Sequence, residues 1–497
     1  MTLPLAARDR QIVQSNLFLA ALLAVCIARL WLMALPSSFW VDEMATVFVV
    51  QHGADHPSFA VAPQVPDSLY YWLPRVSSRL LGSSEIAYRL PSILAAGVAL
   101  WLIALLAARL IHPQAAWFAV FACLGLHDFN EHAADARPYA LGMCVGAACV
   151  WFLVRWLDSA RWRDGLLFAF FGALLWRVHL IYWPFYLLLA LYTAVRMARH
   201  ETRVPMRHAA AVFALMAIAV LPVALRSLRL MRHAGAHVIL ALPSLHHFEW
   251  TLRWKLPLLA GALAWLLGRV LHWNRNGEKL SRSALVLVAA WWLGQPICLF
   301  TYSYLTGNNA YVPRYFSISL PGLALAATFA VRPFAGATQW RPLAALVGVG
   351  TLALLGQWTL LWPEHQHSDW RGAAAMANRE APSREIAVIC TSPFVEGQSP
   401  HWRPDYPLPG FLYAHLSVYP IRGQILLFPF ERAHDSEEYA TGLLQEKLTA
   451  PRRFLIYGGA GNVRDWRNWF ARRPELAGWD NRLVKFGDVY LVEFFRR

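Results

Sequence analysis

The sequence predicts a bundle of helices that crosses a membrane many times, followed by a small α/β domain. Three observations predict it. The 497 residues are 57% hydrophobic and only 15% charged, which is more apolar surface than a water-soluble core can hide. Mostly apolar runs long enough to cross ~30 Å of hydrocarbon, ~20 residues each, recur about eleven times. From about residue 363 onward the composition turns soluble.

The predicted spans are 16–36, 90–110, 114–129, 137–157, 164–179, 181–198, 208–226, 252–272, 284–303, 314–332 and 342–362. The first follows a short basic segment with Arg8 and Arg10 and lacks a small-residue cleavage site, so it reads as a retained helix. Three loops concentrate positive charge: Arg155, Arg161 and Arg163; Arg196, Arg199, Arg203 and Arg207; Arg269, Arg275, Lys279 and Arg282. The positive-inside rule places all three, with the amino terminus, on the cytoplasmic side. Residues 128–136 and 304–313 carry no Lys or Arg and fall on the opposite face. Loop 226–255 breaks the pattern, because Arg226, Arg229, Arg232, Arg253 and Lys255 land on the expected outer side.

Two parts stand apart from the spans. Residues 37–89 form a long first outer loop with Pro57, Pro63, Pro66 and Pro74, too polar to span and too long to be a plain connection. The transmembrane part is thus 1–362, and 363–497 reads as a small outer α/β domain. There, strand-like runs (Ile386 to Cys390, Gln424 to Phe430, Phe454 to Tyr457, Val489 to Phe494) alternate with helix-like ones (Asp369 to Glu380, Glu437 to Leu448, Val463 to Phe470).

The net charge of +15 sits in short Arg clusters between apolar runs, where anionic lipid headgroups account for it. No basic stripe with interleaved aromatics marks a nucleic-acid surface. Five of the six cysteines lie inside apolar runs, which leaves no disulfide framework. Many of the 24 Trp and 17 Tyr residues lie near span ends, as membrane-interface belts do.

The polar motifs fall on the outer side. The first outer loop opens with Trp40-Val41-Asp42-Glu43, a second reads from His127 through Arg137-Pro138-Tyr139, and another runs from Asn308 to Pro313-Arg314-Tyr315. Carboxylates and arginines converging at one membrane face suit a reaction that needs a base and a phosphate clamp. The plain alternatives are a solvated helix end for Asp42 and Glu43 and interfacial snorkelling for Arg137 and Arg314.

Trp40 to Glu43, Leu69-Tyr70-Tyr71-Trp72-Leu73, Arg89-Leu90-Pro91-Ser92, Ala136 to Leu141 and Pro313-Arg314-Tyr315 occur in an order that resembles bacterial relatives of the protein O-mannosyltransferases. That family comprises polytopic glycosyltransferases of the GT-C fold that take a sugar from a polyprenyl-phosphate donor. The resemblance covers residues 16 to about 330. It implies an all-α GT-C bundle of about eleven transmembrane helices, with Asp42 as catalytic base and Glu43 in a second role at the same site. Arg137 and Arg314 would then hold the donor phosphate, since guanidinium matches phosphate in bidentate fashion. Asp67, Tyr70, Glu131, Tyr139, His179 and Tyr315 are the further candidates for substrate binding. One departure stands out: the relatives' His-Pro-Pro-Leu-Tyr is replaced here by Val65-Pro66-Asp67-Ser68-Leu69-Tyr70, so acceptor identity does not carry over.

The implied enzyme is an inverting transferase of the bacterial cytoplasmic (inner) membrane, active on the periplasmic side, with a glycan, lipid or protein acceptor. It requires no cofactor, and no glycine-rich phosphate loop is present. A divalent metal ion is a further option, because His127, Asp128, Glu131, His132 and Asp135 would meet at i, i+4 spacing on a helix, and His52, Asp55 and His56 form a second group. The rival readings are a transporter or flippase of a lipid-linked envelope precursor, and a scaffold for the soluble tail. The absence of a repeat and of mid-span charges argues against transport.

Overall fold

A computed structural model describes residues 5–62, 68–234, 242–273, 281–356, 365–450 and 452–496. Asp67, Arg275 and Lys279 lie outside the described residues. Contacts group the chain into two compact units: Met1–Met33, Asp67–Ser77 and Arg89–Leu360 in the first, and Ala34–Pro66, Ser78–Tyr88 and Leu361–Arg497 in the second.

The first unit is helical. Among the described residues, six helical stretches are long and apolar enough to cross a membrane: Glu85–Leu110, Tyr139–Ser159, Leu180–Ala198, Met206–Ser227, Arg282–Thr306 and Pro313–Phe334. The chain is a multi-pass membrane protein. Among the described residues, several expected spans are shorter than the apolar runs implied. The run at 114–129 breaks at Gly125 into Ala116–Leu124 and His127–Ala133. A nine-residue helix covers only about 14 Å. The run at 252–272 gives Lys255–Val270 after a break at Arg253, which is held at φ 49°. Trp162–Val178, Trp340–Leu355 and the apolar stretch Asn16–Leu32 are 16 or 17 residues long.

Close backbone approach holds the bundle together, as is usual where lipid removes the hydrophobic drive between helices. A Cβ on Gly322 would stand 2.6 Å from the Trp292 nitrogen and 2.7 Å from the Trp291 carbonyl carbon. The buried Trp31 indole N–H donates to Asn130 Oδ1 at 2.9 Å.

Ion pairs sort the loops into two ends of the helix Tyr139–Ser159. At one end Arg109 and Arg196 both pair with Asp158, at 2.6 and 2.7 Å. Arg155 meets Asp164 at 3.2 Å, and a cavity of about 250 Å³ is lined by Asp158, Arg196, Glu201, Ser281 and Ser283. The loops at 155–163, 196–207 and the residues just before Arg282 therefore share one end. At the other end Arg253 pairs with Asp128 at 2.6 Å. This explains the exceptional charge of loop 226–255 in part, since Arg253 is neutralised by a carboxylate rather than by lipid headgroups.

The second unit holds a five-stranded sheet of order β2-β1-β3-β5-β4, with β1 Ala387–Thr391, β2 Gln424–Phe428, β3 Arg453–Gly459, β4 Trp479–Phe486 and β5 Val489–Arg496. β1 runs parallel to β2 and β3, whereas β5 is antiparallel to β3 and β4. Helices Trp370–Glu380, His434–Leu443 and Ala460–Ala471 accompany it. Phe428, Phe454, Trp466, Phe470 and Phe494 fill the core. Segments of the long first loop fold with these residues. Phe59 stacks on Phe411 at 4.8 Å, and the Phe411 N–H donates to Ser58 Oγ at 3.1 Å.

Candidate functional site

In the first unit, Pro138 precedes the helix Tyr139–Ser159, and Pro313 opens the 3₁₀ helix Pro313–Ser319. Proline at a helix start loses no hydrogen bond and presets φ, so each motif turns sharply where its arginine stands. His179 is extended (φ −157°, ψ 130°) between the helix Trp162–Val178 and the short turn Leu180–Tyr182.

These three breaks bring one group of side chains together. The Arg137 guanidinium lies 5.9 Å from the Tyr139 ring centre, and that of Arg314 5.8 Å from the Tyr315 ring. His179 lies between the two tyrosines, 6.0 Å from Tyr139 and 5.5 Å from Tyr315, and both arginines act on it electrostatically. The Ile181 N–H donates to His179 Nδ1 at 3.2 Å. A neutral imidazole therefore carries its proton on Nε2 and presents a donor. Gln295 Nε2 ties the floor together by donating to the carbonyls of Ile181 (2.9 Å) and Tyr315 (3.2 Å).

Tyr182, which the sequence did not single out, and His132, expected only as a metal ligand, belong to this group. Tyr182 lies 5.6 Å from His179 and shares a 3.0 Å hydrogen bond with Ser317. Its ring occupies the space a Cβ on Gly142 would need. His132 packs on Tyr139 at 4.7 Å. Ring spacing within the short His179–Tyr182 motif is the sequence signal that could have marked Tyr182.

Glu131 sits one short helix away. His127, Asp128 and Glu131 offer ligand atoms within 4.8 Å of one another, whereas His132 and Asp135 are not part of that group. His127 lies 3.8 Å from Asp128 and 3.5 Å from Glu131. The carboxylates of Asp128 and Glu131 facing its Nδ1 push the His127 imidazole up to about 10 despite partial burial. Burial works to raise Asp128, but His127 and Arg253 outweigh it and hold its carboxyl well below the usual carboxylate range. With Asp128 already engaged by Arg253 at 2.6 Å, the trio behaves as a charge-balanced cluster and suits a divalent ion poorly. Among the described residues His52, Asp55 and His56 form no such ligand group. The rings of His52 and His56 instead pack against Phe48, tilted at 4.4 Å and edge-on at 5.3 Å. Tyr70 is buried against Tyr71, with ring centres 5.7 Å apart.

Asp42 and Glu43 belong to the second unit, in the first turn of the helix Val41–His52. Glu43 is fully buried, and its Oε2 accepts the Trp40 N–H at 3.2 Å. This is the Glu half of a capping box, in which the third helical residue reaches back to the N-cap N–H. Asp42 is half-buried on the same turn.

The sequence matches the family described as Dolichyl-phosphate-mannose-protein mannosyltransferase over residues 63–224. No curated protein matches it by sequence. Among solved structures, ArnT from Cupriavidus metallidurans in the apo state superposes with a TM-score of 0.54 at 14% identity, covering 97% of this chain and 98% of that one. The same protein bound to undecaprenyl phosphate gives 0.52 at 14% identity, covering 96% and 98%. The arabinosyltransferase EmbB from Mycobacterium smegmatis aligns less fully, at 13% identity over 71% of this chain and 38% of its own, with a TM-score of 0.42. The fold is that of ArnT, and the family match over residues 63–224 makes the chain similar to the dolichyl-phosphate-mannose-protein mannosyltransferases, membrane glycosyltransferases.

Proposed function

We propose that the protein moves a sugar from a polyprenyl-phosphate donor to an acceptor hydroxyl, with inversion, at the outer face of a bacterial cytoplasmic membrane. The observation that carries this reading is the pairing of Arg137 and Arg314 around His179, each guanidinium beside a tyrosine ring. Two fixed cations with a neutral N–H donor between them suit a phosphate whose charge rises from single to double as the sugar leaves. The undecaprenyl phosphate bound by ArnT is chemically the leaving group of such a transfer.

Asp42 takes the acceptor's hydroxyl proton as the oxygen attacks the anomeric carbon. The new C–O bond forms while the bond from the anomeric carbon to the phosphate oxygen breaks, and polyprenyl phosphate departs with the electron pair. Asp42 is supported by its place in the Asp-Glu motif, in which Glu43 caps the helix through the Trp40 N–H. Tyr139, Tyr315 and His179 offer stacking faces and a donor for the sugar, and Tyr70, Glu131 and Asp67 remain candidates for acceptor contacts. The outer-face assignment rests on the alternation of the arginine clusters.

The test is to incubate the purified protein in nanodiscs with a panel of polyprenyl-phosphate sugars and, separately, nucleotide sugars. Release of free polyprenyl phosphate from at least one lipid donor, with the nucleotide sugars inert, supports the reading. Turnover of nucleotide sugars alone would overturn it.

A further inference from the structure

The chain entering the helix of Asp42 is gripped from three sides by residues far away in sequence. The Arg371 Nη2 donates to the Pro36 carbonyl at 2.8 Å, and the Arg371 backbone N–H donates to Ser38 Oγ at 3.1 Å. The Phe39 N–H donates to the Tyr419 hydroxyl at 2.9 Å. That hydroxyl in turn donates to Glu85 Oε1 at 2.8 Å, and Arg371 Nη1 reaches the same oxygen at 3.1 Å. Glu85 is thus a hub that fixes both the tyrosine and the arginine, and Phe39 is further pinned edge-on against Tyr88 at 5.6 Å. All of these residues lie within the second unit.

We infer that Arg371, Glu85 and Tyr419 form a clamp on Pro36–Phe39 that positions Asp42 for proton transfer. The inference rests on the reading of Asp42 as the base. Stability alone explains the grip poorly: the Arg371 side chain is 51% exposed, and exposed ion pairs contribute little. What the clamp does fix is the direction from which the backbone enters the turn that carries Asp42. A displacement of about 1 Å at a reacting group can cost on the order of 100-fold in rate. The three residues are positioning residues, since they act through Asp42 and need no contact with substrate.

The experiment is a cycle of Tyr419→Phe, Asp42→Asn and the double variant, read as single-turnover rates at saturating donor, with donor KM and thermal midpoint recorded. Tyr419→Phe removes one oxygen and keeps the ring. It is expected to slow transfer about 10- to 100-fold with donor KM and midpoint little changed, yet to add less than about 2-fold in the Asp42→Asn background, because residues acting as a unit are non-additive. If Tyr419→Phe misfolds, Arg371→Lys serves in its place. It keeps the charge facing Glu85 but cannot also reach Pro36, so a smaller loss with the same non-additivity is expected. Asp42→Asn at the native rate would overturn the base reading, and the clamp with it. A slow Asp42→Asn combined with a clamp variant that is native in rate, or that slows both backgrounds equally, would overturn the clamp alone.

Discussion

Replacing Glu43 separates capping from catalysis. Its Oε2 accepts the Trp40 N–H at 3.2 Å, and the side chain is wholly buried. Glu43→Ala removes that cap, a loss of about 1 kcal/mol, and empties buried space, for a further loss of about 1–2 kcal/mol. The total of about 2–3 kcal/mol should lower the thermal midpoint by several degrees. Glu43→Gln keeps an oxygen in the same place, so it should cost under about 1 kcal/mol and leave turnover within about 10-fold of native. Thermal unfolding in detergent, followed by tryptophan fluorescence, is measured beside single-turnover transfer. A Glu43→Gln protein with a native midpoint and native donor binding but no transfer would refute the capping assignment and make Glu43 the base.

Arg137→Lys and Arg314→Lys should each weaken donor use at least about 10-fold although charge is conserved, because lysine cannot make a bidentate phosphate contact; donor titrations check this, and unchanged affinity and rate in both would assign the residues to interfacial anchoring. The His127 cluster makes a pH prediction. His127 has its folded pKa raised to about 10, so its contribution is fully present below about pH 6.5 and is lost as pH rises through about 10. Its side chain is 66% exposed, which limits the effect to about 1 kcal/mol or less. Wild type should therefore unfold at a slightly higher temperature than His127→Gln near neutrality and equal it above pH 10, whereas a gap that widens at high pH would contradict the pairing. Cysteines placed at 203 and 308 should label from opposite sides of intact cells, with 308 outside; labelling of 203 from outside would invert the topology.

The helical bundle and the C-terminal sheet domain are legible because each leaves a local pattern. Arg137, Tyr139, His179, Arg314 and Tyr315 meet because proline and extended-backbone breaks put them at helix ends, and those breaks are written in the sequence. The strands at 387–391, 424–428, 453–459 and 489–496 were visible as apolar runs. β4 was not, since Asp480, Asn481, Arg482 and Lys485 give an edge strand the look of a loop. The breaks at Gly125 and Arg253 leave no mark in hydropathy, which counts apolar residues and does not see a backbone turn. The same limit hid the folding of Ala34–Pro66 with the C-terminal residues, and with it the Arg371, Glu85 and Tyr419 contacts, which join positions more than 280 residues apart. Glu43 read as chemistry from its neighbour Asp42, yet its geometry is that of a cap.

The central claim is that transfer proceeds by proton removal at Asp42 while other residues hold the lipid phosphate. The most direct measurement is the single-turnover rate of Asp42→Asn in nanodiscs loaded with polyprenyl-phosphate sugar, with donor binding followed in the same sample. The account predicts native donor binding and a rate lower by about 10²–10⁴-fold, the usual contribution of general-base assistance. A near-native rate with donor bound would contradict it.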